Sequence, residues 1–340
     1  MILVIAEKPS VAQSIAKVLG ATSRKDGYME GGNYIVSWCF GHLVELADAS
    51  SYDDRYAKWR YDDLPIVPEN WMFEVTKDKA QQFKVLSSLM KDKRVTELVC
   101  ATDAGREGEL IFRLVYDKAG CTKPFKRLWI SSLEDSAIRE GFRHLRDGKD
   151  YDRLYEAALS RSKADWIVGI NGTRLFTTLY HKKLVVGRVQ TPTLAMLVER
   201  DGKISTFQKE KYFNVHVGKG DLTADLEKFK TEEEAKRIAA ACEKKQAVVS
   251  SLKQETKTVN PPKLYDLTTL QREANRYYGF TAQQTLDLVQ TLYEKKLLTY
   301  PRTDSQFITD DMEDTARQVI SIVCRQLPLF SGVSVTPDIA

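Results

Sequence analysis

Tyr300 and Arg302, in the run Leu297-Leu298-Thr299-Tyr300-Pro301-Arg302-Thr303-Asp304-Ser305, place a phenol and a guanidinium two residues apart, with small hydroxyls on either side. A residue before proline is pushed towards extended backbone, and alternate residues of an extended segment face the same side. The spacing therefore predicts that the two side chains point together. Such a pair suits attack by tyrosine on a phosphodiester, with arginine gripping the phosphate through its planar fork. An edge strand carrying an ordinary half-buried tyrosine has the same local pattern, and this segment alone favours that plainer reading.

Three further clusters bear on the choice. Asp103-Ala104-Gly105-Arg106-Glu107-Gly108-Glu109 follows an apolar run, and Glu7 ends another. Open α/β sheets place their sites at the carboxyl ends of strands, so neighbouring strands would gather Glu7, Asp103 and Glu107 around one crevice. Magnesium prefers oxygen ligands and takes one or two carboxylates beside water and substrate phosphate. The alternative is a helix N-terminus that favours acids through its dipole. Lys8, beside Glu7, can give charge or a proton to a phosphate oxygen, or be a solvated surface lysine. Gly187-Arg188-Val189-Gln190-Thr191-Pro192-Thr193 follows the basic His181-Lys182-Lys183. Its backbone amides and polar side chains can track a line of phosphates, and a plain turn before a helix fits equally well.

The elements that must position these groups are legible in outline. Ile2 to Ala6 reads as a short strand, and Val11, Ile15, Val18 and Leu19 fall at helical spacing before Gly20. Leu98 to Ala101 repeats the strand, followed by Leu110, Ile111, Leu114 and Val115 on one helix face up to Gly120. Arg127 to Ile130 reads as a third strand, with Ser131 and Glu134 spaced as a capping box. Tyr34 to Phe40 reads as a further strand. Strand–helix alternation of this kind argues for a mostly parallel sheet with helices on both faces.

From Tyr151 the pattern turns helical, with Leu154, Ala158, Ala164, Trp166 and Ile167 as core positions. Residues 212–249 mix strand-like stretches with a charged helix near Glu232 to Lys244, and 257–262 read as an extended linker. Leu267, Leu270 and Ala274 then mark one helix and Gly279-Phe280-Thr281 a turn. Thr281 and Gln284 cap a second helix carrying Leu286, Val289 and Tyr293. A strand through Tyr300 would complete a winged-helix pattern, a unit often used on nucleic acid.

The composition is compatible with this outline. The 340 residues suit two or three domains, and 43% hydrophobic content is ample for globular cores. A net charge of +4 permits a polyanionic partner without requiring one. The cysteines (Cys39, Cys100, Cys121, Cys242, Cys324) are scattered and odd in number, which predicts reduced, buried thiols of a cytosolic protein. No apolar run approaches a membrane span, and no Gly-x-x-x-x-Gly-Lys loop is available to cradle a nucleotide.

Taken together, the chain resembles a type IA DNA topoisomerase. Ala6-Glu7-Lys8-Pro9-Ser10 and Asp103 through Glu109 resemble the metal-binding toprim domain of that family. Gly187 through Pro192 resembles its DNA-contacting segment, and Thr299 through Ser305 its nucleophile motif. Lysine directly after Glu7 is closer to the bacterial topoisomerase III branch. The fold implied is α/β plus α: an N-terminal toprim (Rossmann-like) sheet domain, followed by helical and winged-helix-like domains of the topoisomerase ring. The division implied is 1–150 for toprim, 151–210 for a helical DNA-binding part, 211–260 for a strand-rich gate or hinge, and 261–340 for the nucleophile domain.

The resemblance implies Tyr300 as nucleophile, Arg302 as phosphate clamp, Lys8 as aid to the leaving oxygen, and Glu7, Asp103 and Glu107 around magnesium. Gly187, Arg188, Val189, Gln190, Thr191 and Pro192 would contact DNA, joined by Arg161, Asp165, His42, Arg60 and Tyr61. It implies ATP-independent cutting of one strand through a 5′-phosphotyrosine, strand passage and resealing, by a cytoplasmic, nucleoid-associated monomer acting on single-stranded or underwound DNA. A helicase or single-strand-binding protein is the candidate partner. Another toprim nuclease or primase, or a non-catalytic DNA-binding fragment, are the rival readings. Two departures stand out. Gly105 occupies a position where the family often has Asp, which puts a second metal ion in doubt. No histidine follows His216, whereas the family carries one downstream of its nucleophile, so the resemblance implies the N-terminal portion of a longer protein, incomplete at its C-terminus.

Overall fold

The computed structural model describes residues 1–226, 228–246, 248–308 and 312–328. The chain divides into two compact units, one of Met1–Gly187 with the segment from Pro262 onward, the other of Arg188–Pro261.

The first unit is built on a sheet of β1 (Ile2–Ala6), β2 (Ser23–Lys25), β3 (Tyr28–Gly31), β4 (Tyr34–Trp38), β7 (Glu97–Ala101), β8 (Phe125–Arg127) and β9 (Arg146–Asp147), with a separate hairpin of β5 (Val44–Leu46) and β6 (Phe73–Val75). Strand order is β2-β3-β4-β1-β7-β8-β9. The central four strands are parallel and the edges antiparallel. Its helices are α1 (Pro9–Leu19), α2 (Ala80–Lys91), α3 (Arg106–Lys118), α4 (Asp135–Arg143) and α5 (Asp152–Tyr180).

Strand β1 explains why its sequence is uniformly apolar. Leu3 and Ile5 pack on one face with α2 and α3, and Val4 and Ala6 on the other with α1 and α4. A parallel strand covered on both faces needs no polar alternation. Helix α1 closes as expected, with Gly20 left-handed at φ 76° and its N–H donating to Ala16 and Lys17 carbonyls.

In the second unit, α6 (Gln190–Ser205) precedes a hairpin of β10 (His216–Lys219) and β11 (Leu222–Asp225) and then α7 (Glu232–Cys242). The first unit resumes with α8 (Leu267–Tyr278), α9 (Ala282–Glu294) and α10 (Glu313–Gln326). Gly279 is left-handed, and the Thr281–Gln284 capping box at the start of α9 is complete in both directions.

Several expectations are corrected. Residues 297–305 form no strand: α9 ends in a left-handed turn at Lys296, and Pro301 has no N–H to offer a ladder. The backbone of Tyr300 instead donates once, to the Ser131 carbonyl at 3.3 Å. Strand β8 lies earlier than predicted, at Phe125–Arg127. The Ser131–Glu134 capping box does not form, because Glu134 is itself the residue that precedes the first turn of α4. Strand β4 stops at Trp38, short of Phe40. Cys39 and Cys100 are buried thiols, but Cys242 is exposed on the solvent side of α7.

A fully buried arginine braces the carboxyl end of β7. Arg127 donates to the carbonyls of Cys100, Thr102, Leu128 and Asp103 at 2.7–3.0 Å. Its Nε lies 3.1 Å from Glu109 Oε2, an ion pair without hydrogen-bond alignment at that nitrogen. Glu109 also accepts from Arg113 at 2.9 Å. Removing one member of a buried pair strands the other charge. Arg127→Met should therefore destabilise the chain by about 3–5 kcal/mol in urea unfolding; replacing Glu109 by Leu in the same protein should recover part of that loss.

Candidate active site at the ends of strands β1 and β7

Ala6 pairs in register with Ala101, so the residues after each strand emerge side by side. Glu7 follows β1 and is 8% exposed. The Asp103 N–H donates to its carboxylate at 3.3 Å. Burial, and then the neighbouring Asp103 charge, push the Glu7 carboxyl up to about 7, against the pull of that N–H, Lys8 and Arg302.

The turn from β7 into α3 is tight for a stated reason. Thr102 Oγ1 donates to the Gly108 carbonyl at 2.7 Å. A Cβ on Gly108 would fall well inside contact distance of the Asp103 carbonyl oxygen, so only glycine lets the first turn of α3 close over Asp103. Gly105 differs: its backbone is extended and a Cβ there meets nothing within 4 Å.

Tyr300 comes to this corner from the opposite end of the first unit's sequence. Its hydroxyl donates to Asp103 Oδ2 at 3.0 Å. Its ring meets Tyr293 edge to face, with centroids 5.6 Å apart. Burial, the Asp103 charge and hydrogen bond, and Glu7 push this phenol above its ordinary range, while Arg302 pulls it down. A cavity of about 600 Å³ opens on the Glu7 side of this corner, lined by Glu7, Lys8, Phe40, His42, Glu107 and Arg302 among others; Tyr300 and Asp103 adjoin it through Glu7 and do not line it. Arg302 lines the cavity while Tyr300 stands behind it on Asp103, with no strand to align the two.

The remaining sequence-predicted residues divide into two groups. Lys8 Nζ lies 3.8 Å from Glu294 on α9. Glu107 lines the cavity, but Arg161 Nη1 donates to its carboxylate at 3.1 Å, and His42 Nε2 lies 3.9 Å away. Burial lowers the His42 imidazole below its usual range, so the His42 contact is weakly charged. Arg161 also pairs with Asp165 at 3.7 Å. These residues form a polar chain from the cavity onto α5.

Arg60 and Tyr61 are exposed, on the loop between β5 and β6, and do not line the cavity. Gly187 ends the first unit's N-terminal stretch, and Arg188 to Pro192 begin the second unit, with α6 starting at Gln190.

Among the described residues, no three His, Cys, Asp or Glu side chains converge as a ready-made cation cage. Glu7 and Asp103 still fit one oxygen-seeking cation: they are adjacent, and the carboxyl of Glu7 is raised first by burial and then by the Asp103 charge, the second of which a cation would offset. Sequence reasoning missed Tyr293, Arg127 and the Ser131 carbonyl. Tyr293 read only as part of the apolar stripe of α9. A hint for the buried brace was available in Glu109 and Arg113, an acid and a base four residues apart on an otherwise apolar helix face.

Comparison with known proteins bears on this arrangement. The toprim domain pattern matches residues 2–133, and the DNA topoisomerase family pattern matches residues 149–333. The chain is 46% identical over 323 residues to DNA topoisomerase 3 of Bacillus licheniformis, covering 93% of this chain and 44% of that protein. It is 47% identical over 320 residues to DNA topoisomerase 3 of Staphylococcus haemolyticus, covering 93% and 45%. It thus spans less than half the length of these curated relatives. Full-length topoisomerase I of Thermotoga maritima superposes with a TM-score of 0.67 at 27% identity, over 94% of this chain and 52% of that one.

Two neighbouring glycines should respond oppositely to substitution. Gly108→Ala should displace Asp103 and lower both thermal stability and divalent-cation binding. Gly105→Asp should fold with stability within about 0.5 kcal/mol of the parent and bind magnesium more tightly by calorimetry, since it adds a third carboxylate in open space.

Proposed function

The chain belongs to the type IA DNA topoisomerase family, in its topoisomerase 3 branch, and on that premise we propose that it cuts one DNA strand transiently through Tyr300. The observation that carries this reading is the Tyr300 hydroxyl, 3.0 Å from Asp103, whose N–H donates to Glu7, a wall residue of the cavity that Lys8 and Arg302 also line. No helix among the described residues is long and apolar enough to cross a membrane.

In the proposed step, Tyr300 Oη attacks phosphorus in a single-stranded segment. A phosphorus–oxygen bond to tyrosine forms, the bond to the 3′ oxygen breaks, and the departing oxygen takes up a proton. The ester count is unchanged, so no ATP is consumed. Free phenol has a pKa near 10, and forming phenolate at pH 7 costs roughly 4 kcal/mol. Burial and the Asp103 charge and hydrogen bond raise that cost in the resting arrangement. Asp103 already accepts the phenol's hydrogen bond and lies where the proton must go as the bond forms. Arg302 favours the phenolate and clamps the phosphate through paired N–H donors. Lys8 serves the leaving oxygen. A magnesium ion held by Glu7 and Asp103, with Glu107 nearby, would supply positive charge to the phosphate oxygens.

DNA would reach this corner along Arg161, Asp165 and His42; Gly187 to Pro192, Arg60 and Tyr61 belong to the same reading as further DNA contacts. The reading extends to strand passage and resealing, by relaxation of negative supercoils or decatenation. It includes action as a monomer beside a helicase or single-strand-binding protein, in the bacterial nucleoid. The four-part division at 150, 210 and 260 belongs to it as well.

Incubation of the complete protein with end-labelled single-stranded DNA and magnesium tests the proposal on a denaturing gel. A protein–DNA adduct is expected, absent in Tyr300→Phe, and formed about 100-fold more slowly in Arg302→Lys, with strand binding retained in both. Cleavage without an adduct would favour a toprim nuclease. Binding without cleavage, and no relaxation of supercoiled plasmid, would favour a non-catalytic DNA-binding protein.

A further inference from the structure

Tyr293 is a second phenol beside the crevice, and the chemistry above leaves it unused. It is 5% exposed and completes the buried stripe of α9 with Thr285 and Val289, at four-residue spacing. Its ring joins the core cluster of Val4, Ala6, Trp38, Leu128 and Leu133. The sheet, as well as α9, therefore sets where this ring stands. Against it lies the Tyr300 ring, with planes at 72° and centroids 5.6 Å apart. Edge-to-face geometry of this kind is the favoured arrangement of two aromatic quadrupoles.

Tyr300 has few other anchors. Its N–H reaches the Ser131 carbonyl at 3.3 Å, and the following Pro301 is buried. Those contacts hold the backbone, and the part-buried ring packs against the core cluster to which Tyr293 belongs. The hydroxyl donates to Asp103, but this is the oxygen that must attack phosphorus, so that anchor is surrendered as the new bond forms. The contact with Tyr293 uses the ring and involves no reacting atom. It is a side-chain contact that can persist from the resting state through the attack.

We propose that Tyr293 is a positioning residue for strand cleavage, whose ring seats the Tyr300 ring and so aims its hydroxyl at the phosphate. This rests on Tyr300 being the nucleophile and says what orients it. The aromatic ring is the working part, and the Tyr293 hydroxyl is dispensable.

The test uses the complete protein with Tyr293→Phe, which keeps the ring, and Tyr293→Leu, which removes it. Tyr293→Met replaces the leucine variant if its melting temperature shows that it fails to fold. Single-turnover adduct formation on single-stranded DNA is expected to slow about tenfold in Tyr293→Leu, with DNA affinity unchanged, and to stay near the parent rate in Tyr293→Phe. A leucine variant at the parent rate, or a phenylalanine variant as slow as leucine, overturns the proposal. In parallel, 3-fluorotyrosine at position 300 reports the seat by fluorine NMR without any reaction. Its resonance should narrow and move towards that of free tyrosine in the leucine variant alone; no change there also overturns the proposal. If the parent protein forms no adduct, the nucleophile reading falls, and the fluorine signal still decides whether Tyr293 seats Tyr300.

Discussion

Two carboxylates forced together at the ends of adjacent parallel strands are the constraint on which the site depends. The β1–β7 register leaves Glu7 and Asp103 no freedom to separate, because both strands are pinned by apolar packing on their two faces. Burial first and the Asp103 charge second raise Glu7 to about 7, which together correspond to roughly 3 kcal/mol against holding it charged. A protein gains nothing in stability from such a pair. Its use is local: an oxygen-rich corner that attracts positive charge, beside a phenol whose proton has a ready acceptor.

Much of the surrounding structure counteracts that repulsion or holds its geometry. Arg127 offers its guanidinium to four carbonyls around the Asp103 turn, so the turn is built on donors from below. Glu109 balances the arginine's charge from α3. Gly108 lets α3 begin directly against Asp103. On the far side, Lys296 on the turn after α9 pairs with Asp135 at 2.6 Å, and Lys8 approaches Glu294 at 3.8 Å. Both pairs are part-exposed and individually weak. Together with the buried Tyr293 they keep the nucleophile segment against the sheet.

The parts of this that were readable in sequence are those governed by short-range rules. The Thr281–Gln284 box, the Gly20 and Gly279 left-handed caps and the apolar run of β1 follow from neighbours within four residues, and each formed as expected. The strand expected through Tyr300 failed because extended backbone becomes a strand only when a partner supplies a ladder of hydrogen bonds, whereas Tyr300 makes a single one, to Ser131, and Pro301 has no N–H to continue it. The box expected at Ser131 failed because the register of α4 depends on where Ile138 must be buried, a long-range matter. Tyr293 shows the same limit: periodicity marked it as buried but carried no information about the ring it would meet.

The sequence by itself determined which chemical groups are available: a phenol beside a guanidinium, carboxylates at strand ends, and a lysine next to one of them. It also determined that the carboxylates Glu7 and Asp103 and the lysine sit where strands end, since apolar runs are local signals. The tertiary structure decided which of them share a crevice. Strand pairing brought Glu7 to Asp103, helix packing turned Glu107 towards Arg161, and docking of α9 carried Tyr300 across nearly two hundred residues of chain to Asp103. Proximity between distant segments depends on how whole faces bury one another, and no local pattern encodes it.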